Sequence, residues 1–248
     1  MASVHDRLDS WERHGFFIVR EHFDARLVSE LAAACDHVLG QVRARSRDAG
    51  HTSTHITSLL VPDYYRDRPD ALAQLTALPS AREVLELIHD LGRPLEGQLQ
   101  LRAAHYFHEP SQRDYDGPWH RDGDEVALGQ PDDGQSARPG TLLRFRVALC
   151  ADDHLEYVPG SHKRCDTPQE LQLRRGAVRN APLARGAVRI HLRAGDVCVF
   201  DTWGIHRGRY RSGRRRRTLD LVYGFGPRKA ASFDALAYLR RSAHGVDR

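Results

Sequence analysis

The pattern of apolar positions changes near residue 94. Before it, apolar residues recur three and four apart, as on one face of a helix; after it, they alternate with polar ones in short runs. In "SWERHGFFIVREHFDARLVSELAAACDHVLGQVRAR" the run Phe16 to Val19 predicts a short strand. Leu27, Leu31, Ala34 and Val38 then mark one face of a helix. Asp24 stands where an N-cap should be, its carboxylate able to accept from the open amides of the first turn. A second helical region is predicted from about Asp70 to Leu91, broken at Pro79-Ser80 and restarting in "SAREVLELIHDLG".

From Pro94 onward, "LEGQLQLRAAHYF", "TLLRFRVALC", "LEYVPGS", "GAVRIHL", "GDVCVFD" and "RTLDLVYGF" are β-rich segments separated by Gly, Pro and Asp turns. No long helices intervene, which argues against a doubly wound parallel sheet and for a sandwich or small barrel. The stretch Thr167 to Ala187 reads as an excursion between strands. With no repeat and no low-complexity linker, one domain over residues 1–248 is expected. It comprises a helical region of about 1–93, a β-core of about 94–226 and a C-terminal tail.

Composition changes this picture little. An apolar fraction of 40% is a globular value. The N-terminus lacks a signal-peptide core, and no window approaches the ~20 apolar residues of a membrane span. Cys35, Cys150, Cys165 and Cys198 have no paired spacing, so they are expected to be reduced thiols and the chain a cytoplasmic protein. The net charge is +4, but "HRGRYRSGRRRR", His206 to Arg217, holds seven arginines and no acid. A nucleic-acid patch would need interleaved aromatics beyond Tyr210, so a solvated loop is the preferred reading.

The candidate chemistry begins at "DGPWHRDGDEV". His120 and Asp122, two apart, share a face of an extended strand and can offer an imidazole and a carboxylate to one metal. His22-Phe23-Asp24 has the same pattern, but the helix cap accounts for it. Most of the 15 histidines, including His154, His162 and His191, lack a partner at useful spacing. His105 and His108 would face opposite sides of a strand. His206 differs: "AGDVCVFDTWGIHRG" runs from a tight turn through an apolar strand to a short polar bend that presents one histidine. Two imidazoles and a carboxylate hold non-haem Fe(II) on one face and leave the opposite positions open for a co-substrate and O2. Downstream, Arg216 and Thr218 share a strand face, and a guanidinium fork beside a hydroxyl suits a distal carboxylate. Strand phase favours Arg216; counting from His206 allows Arg217.

These motifs come in order: His120-Arg121-Asp122, "LEYVPGSH", "GDVCVFDTWGIHRG", "RRTL". With the opening "WERHGFFIVREHFDARLVSELAAACD", this resembles the phytanoyl-CoA dioxygenase-like family of Fe(II)/2-oxoglutarate oxygenases over most of the chain. The resemblance implies a mainly β fold with flanking α-helices and a double-stranded β-helix (jelly-roll, cupin-like) core. It implies iron held by His120, Asp122 and His206, and 2-oxoglutarate chelating the metal with its far carboxylate on an arginine. Hydroxylation would be coupled to release of succinate and CO2. Where many family members have a lysine before the metal motif, this chain reads Phe107-His108-Glu109-Pro110, leaving open whether His108 takes over as a co-substrate contact. Asp122 is a carboxylate, whereas related halogenases have a small residue there, so an oxygenase outcome is implied. Asp124, two positions on, is expected to be a turn or rim residue.

Substrate clues are fewer. Arg102 and Arg144 and Arg146 lie on predicted strands beside the metal motif; facing inward, they would suit an anionic small molecule. Trp119 could wall the pocket or pack in the core. Two alternatives stand beside a small-molecule hydroxylase: an oxygenase acting on protein or nucleic acid through the arginine run, and a jelly-roll binding protein without turnover.

Overall fold

The computed structural model describes residues 3–45, 54–57, 59–91, 99–122, 141–175 and 186–225. The chain opens with α1 (Val4–His14), a helix the hydrophobic pattern did not reveal. Its signature is local: Ser3 and Asp6 form a reciprocal capping box. Strand β1 (Phe16–Val19) and helix α2 (Ala25–Arg45) follow as expected, and Asp24 caps α2 by accepting from the Leu27 amide at 2.8 Å. Then come β2 (His55–Ile56), α3 (Pro69–Ala77) and α4 (Arg82–His89), the last two parted by a short turn at Leu78–Ser80. The remaining elements are β3 (Leu99–His108), β4 (Tyr115–Asp116), β5 (Thr141–Ala148), β6 (Asp152–Tyr157), α5 (Pro168–Arg174), β7 (Val188–Leu192), β8 (Val197–Asp201), β9 (His206–Tyr210) and β10 (Arg217–Phe225).

Two antiparallel sheets result. One has the order β1-β8-β5-β10-β3-β2, the other β4-β9-β6-β7, the two-sheet arrangement of a jelly roll. The change of texture at residue 94 is not a structural boundary. β1 pairs with β8 (Phe16↔Phe200 to Val19↔Val197) and β2 pairs with β3, so the N-terminal region supplies both edges of the larger sheet. Edge strands are thereby kept short.

Alternation sorts the larger sheet into two faces. Leu143, Phe145 and Val147 of β5 and Leu219, Leu221 and Tyr223 of β10 pack with Leu31, Val38, Leu75, Val84 and Ile88 of the helices in one apolar core. The intervening residues, Arg144, Arg146, Thr218 and Asp220, must therefore face the second sheet. Only the far part of that interior is apolar, where Leu155, Tyr157, Cys198 and Phe200 meet. The tail beyond residue 225 and Asp124 lie outside the described residues. Among the described residues no helix is long and apolar enough to cross a membrane, and all four cysteines are free.

Candidate metal and co-substrate site

His120 and His206 are brought together by a two-residue backbone bridge, each amide donating to the other's carbonyl at 3.0 Å. Asp122 is fixed two residues on, its amide donating to Thr202 O at 2.9 Å. The side chains converge: Asp122 Oδ1 lies 3.4 Å from His120 Nε2 and 3.7 Å from His206 Nε2. All three ligand atoms fall within 4.8 Å of one another.

The tautomers suit a cation. His120 Nδ1 is 2.9 Å from Pro118 O and His206 Nδ1 is 2.8 Å from Gly204 O. A carbonyl only accepts, so each Nδ1 carries the hydrogen and each Nε2 presents its lone pair to the centre. His206 Nε2 is buried and has no hydrogen-bond partner. Burial, and then the neighbouring His120, push the His206 imidazole down to about 3, so it is neutral at ordinary pH. For Asp122, burial alone would favour the acid. The Arg144 guanidinium outweighs it and holds the carboxyl well below its usual range. Arg144 Nε and Nη2 donate to Asp122 Oδ2 at 3.1 and 2.9 Å, leaving Oδ1 to face the histidines. This donor set and spacing fit Fe(II) held on one face.

Local packing aims these ligands. His206 lies over Tyr157 (ring centroids 6.3 Å) and against Phe200 (5.4 Å). Tyr157 donates to Asp201 O at 2.9 Å, pressing its ring so closely on Gly204 that any side chain there would collide with it. Arg121, between the ligands but on the other face, donates to Asp166 and to Ser161 O. It ties the His120–Asp122 segment to the turn after β6.

A second polar cluster lies farther along the same interior. Arg216 is 1% exposed, with Cζ 4.9 Å from both the Phe107 and Tyr210 ring centroids. Its Nε and Nη1 are buried without a hydrogen-bond partner, and so is Thr218 Oγ1. Arg217 is turned the other way. It pairs opposite His108, donates from Nε to Asp36 of α2 at 2.8 Å, and donates from Nη1 to Glu109 at 3.0 Å. Strand phase thus puts Arg216 and Arg217 on opposite faces of the sheet. The expectation for His108 is corrected with it: its ring lies beside Tyr106 on the helix-backed face, Nδ1 donating to Glu109 O at 2.8 Å.

Two substrate expectations are also corrected. Trp119 does not line the interior, because alternation turns it away from His120; it packs with Val158 and Ile205, and Arg207 Cζ lies 4.5 Å from its ring. Arg146 faces inward but binds Asp220, through Nε at 2.8 Å and Nη2 at 2.7 Å. Arg102 does lie on the interior side, its Nε 2.5 Å from where a Cβ on Gly224 would sit. Sequence reasoning missed Asp220, Asp152 and the ligand-clamping role of Arg144. The available signal was charge at inward positions of otherwise apolar strands, "LLRFRV" and "TLDLV". His105, set aside with His108 in the sequence, is a neutral imidazole that burial, and then nearby Arg144, push down to about 4.

The sequence pattern of the phytanoyl-CoA dioxygenase (PhyH) family matches residues 11–218. The chain belongs to that family. Membership carries the enzyme class, an Fe(II)- and 2-oxoglutarate-dependent oxygenase. Solved structures share the fold at low identity. AviO1 from Streptomyces viridochromogenes Tue57 is 17% identical with a TM-score of 0.64, over 94% of this chain and 99% of that one. EctD from S. alaskensis, solved with 2-oxoglutarate and 5-hydroxyectoine, is 18% identical with a TM-score of 0.61, over 91% and 76%. HygX from Streptomyces hygroscopicus, solved with nickel and 2-oxoglutarate, is 16% identical with a TM-score of 0.61, over 90% and 88%. No curated protein sequence matches this phytanoyl-CoA dioxygenase family member.

Proposed function

We propose that this family member hydroxylates a small molecule, with Fe(II) on His120, Asp122 and His206 and with the distal carboxylate of 2-oxoglutarate on Arg216 and Thr218. The observation that carries it is the pairing of two features in one interior. A three-ligand cluster has a buried, partnerless imidazole nitrogen, and beyond it two nitrogens of the Arg216 guanidinium and the Thr218 hydroxyl are buried without a hydrogen-bond partner. When bound, iron and 2-oxoglutarate supply the oxidising chemistry, O2 being consumed as succinate and CO2 are released.

The chain's own part is to bind, orient and exclude water. Arg144 holds Asp122 so that one oxygen serves as ligand and the other does not. Phe107 and Tyr210 cover the Arg216 guanidinium, keeping its charge unscreened for the co-substrate. The His120 side chain is 40% exposed against 4% for His206, so access to the centre is from the His120 side. Arg102 remains the inward cation proposed for substrate, and an anionic substrate is part of this reading.

The arginine run bears on the alternative of a nucleic-acid or protein substrate. Each of its seven arginines has an acid within 4.0 Å: Arg207 and Arg209 at Glu156, Arg211 at Asp116, Arg214 at Asp153, Arg215 at Asp36, Arg216 at Asp152 and Arg217 at Asp36. A phosphate backbone needs cations not already neutralised by the fold. This favours a small molecule, on a single catalytic domain in the cytoplasm, where four free thiols are at home. The test is succinate release from 2-oxoglutarate in air with added Fe(II). The folded wild-type protein should produce it and His206→Ala should not; equal release from both would sink the proposal.

A further inference from the structure

We infer that Arg146 is a second arginine for the distal carboxylate of the co-substrate, acting beside Arg216. The inference rests on the functional reading above and extends it to a residue on a different strand. Two of the three Arg146 nitrogens are engaged by Asp220; the third, Nη1, is buried and has no partner. The residue is 3% exposed, so solvent does not satisfy it. Folded proteins pair more than about nine in ten of their buried polar groups. Here Arg146 Nη1, Arg216 Nη1 and Nε, Thr218 Oγ1 and Asp152 Oδ2 are left over together.

These atoms surround one place. Phe107 is the shared wall: its ring centroid lies 5.4 Å from Arg146 Cζ and 4.9 Å from Arg216 Cζ. Thr218 is paired directly with Phe107 on one side and Ala148 on the other, and Asp220 directly with Arg146. Asp152 of β6 closes the far side. Its Oδ1 lies 3.7 Å from Arg216 Nε, and after burial the Arg216 guanidinium, the His154 hydrogen bond and Arg146 are what keep its carboxyl low. With Arg216 Nε turned to Asp152, the donors left for a ligand are Nη1 of each arginine and the Thr218 hydroxyl. A carboxylate has about four acceptor sites on two oxygens and takes all three.

The charges agree. Arg144, Arg146 and Arg216 stand against Asp122, Asp152 and Asp220, whose carboxyls are all held below their usual range. These six charges cancel, and a divalent cation with a dianionic 2-oxo acid adds to them as a neutral pair. Without Arg146, Asp220 would face the incoming dianion with only the longer contact from Arg144 Nη1, at 3.3 Å.

The experiment is anaerobic titration of the Fe(II)-loaded full-length protein, followed by isothermal calorimetry, with 2-oxoglutarate and with oxalate, which chelates metal but has no distal carboxylate. Two variants are compared, because removing a buried cation can unfold the chain: Arg146→Lys, which keeps the charge for Asp220 but loses the fork, and the double variant Arg146→Gln with Asp220→Asn, which removes the pair. Loss of one charge-assisted hydrogen bond predicts a 2-oxoglutarate Kd raised about tenfold or more in both, with the oxalate Kd unchanged. Unchanged 2-oxoglutarate affinity in a folded variant overturns the role of Arg146, as does an equal loss for the two ligands, which would mark a structural residue. Arg216→Gln separates the readings: if it weakens 2-oxoglutarate while both Arg146 variants do not, this inference fails alone. If it too has no effect, the functional reading fails with it.

Discussion

The two faces of the six-stranded sheet are built from the same strands to opposite ends. On β10, Leu219, Leu221 and Tyr223 enter the helix-backed core, while Thr218 and Asp220 enter the interior between the sheets. On β5, Leu143, Phe145 and Val147 alternate with Arg144 and Arg146. The helix-backed face is held by burial of apolar area, roughly 25 cal/mol per Å². The interior face is held by ion pairs whose desolvation offsets much of their attraction, so it contributes little to stability and is retained for what it binds. Stability and chemistry are thus divided between the two sides of one sheet, one residue apart in sequence.

That division can be attacked from each side. Phe145→Ala opens a cavity in the helix-backed core and should cost about 3–5 kcal/mol in urea unfolding. Its 2-oxoglutarate affinity, measured where it is still folded, should be close to wild type. A comparable loss of affinity would show that the faces are not separable. On the other side, Arg216→Met should lower 2-oxoglutarate affinity by about 1.5–3 kcal/mol, whereas Arg217→Met, which removes contacts to Asp36, Glu109 and the Arg216 carbonyl, should leave it unchanged. Calorimetric titration of the pair decides whether strand phase assigned the right arginine.

Arg144→Met removes the clamp on Asp122 Oδ2 while Arg146 still holds Asp220. Partners of this kind are worth about 10- to 100-fold in metal affinity, which a competition titration with a chelator would read. The smallest effect is expected at an ion pair outside the ligand set. Glu170 accepts from the Thr167 amide at 2.7 Å and from both Arg164 terminal nitrogens at 2.7 Å. Burial opposes its ionisation, but Arg164 and the Thr167 groups outweigh it and hold the carboxyl down at about 2. A depressed carboxyl stabilises the fold above its ordinary value of about 4.5 and loses that contribution as pH falls toward 2. Glu170→Gln should flatten the fall in urea midpoint over that window.

Much of this was legible in the chain. The texture change, the Asp24 cap, most of the strands after residue 94 and the triad were local or periodic signals, and the phase of "RRTL" set Arg216 and Arg217 on opposite faces, whereas His206–Tyr210 read as a solvated loop and is strand β9. What was not legible was three-dimensional. β1 reads as a strand and β2 does not, but nothing local says that a four-residue strand will pair with Val197–Asp201 far along the chain. Trp119 sat next to a ligand in sequence and therefore on the opposite face in space. Arg144 and Arg146 read only as cations that would suit an anionic substrate if inward, and Asp220 did not stand out, because a buried ion-pair network looks the same in sequence as a solvated strand. The arginine run looked basic because its acids, Asp36, Asp116, Asp153 and Glu156, come from three distant segments.

The central claim is that one interior holds iron on His120, Asp122 and His206 with 2-oxoglutarate beside it. The most direct measurement is the anaerobic visible difference spectrum on adding Fe(II) and then 2-oxoglutarate to the purified chain. A weak metal-to-ligand charge-transfer band should grow in the wild type and saturate with 2-oxoglutarate, and be missing from folded His206→Ala. A wild type with no band, or a band of equal strength in the variant, would contradict the account.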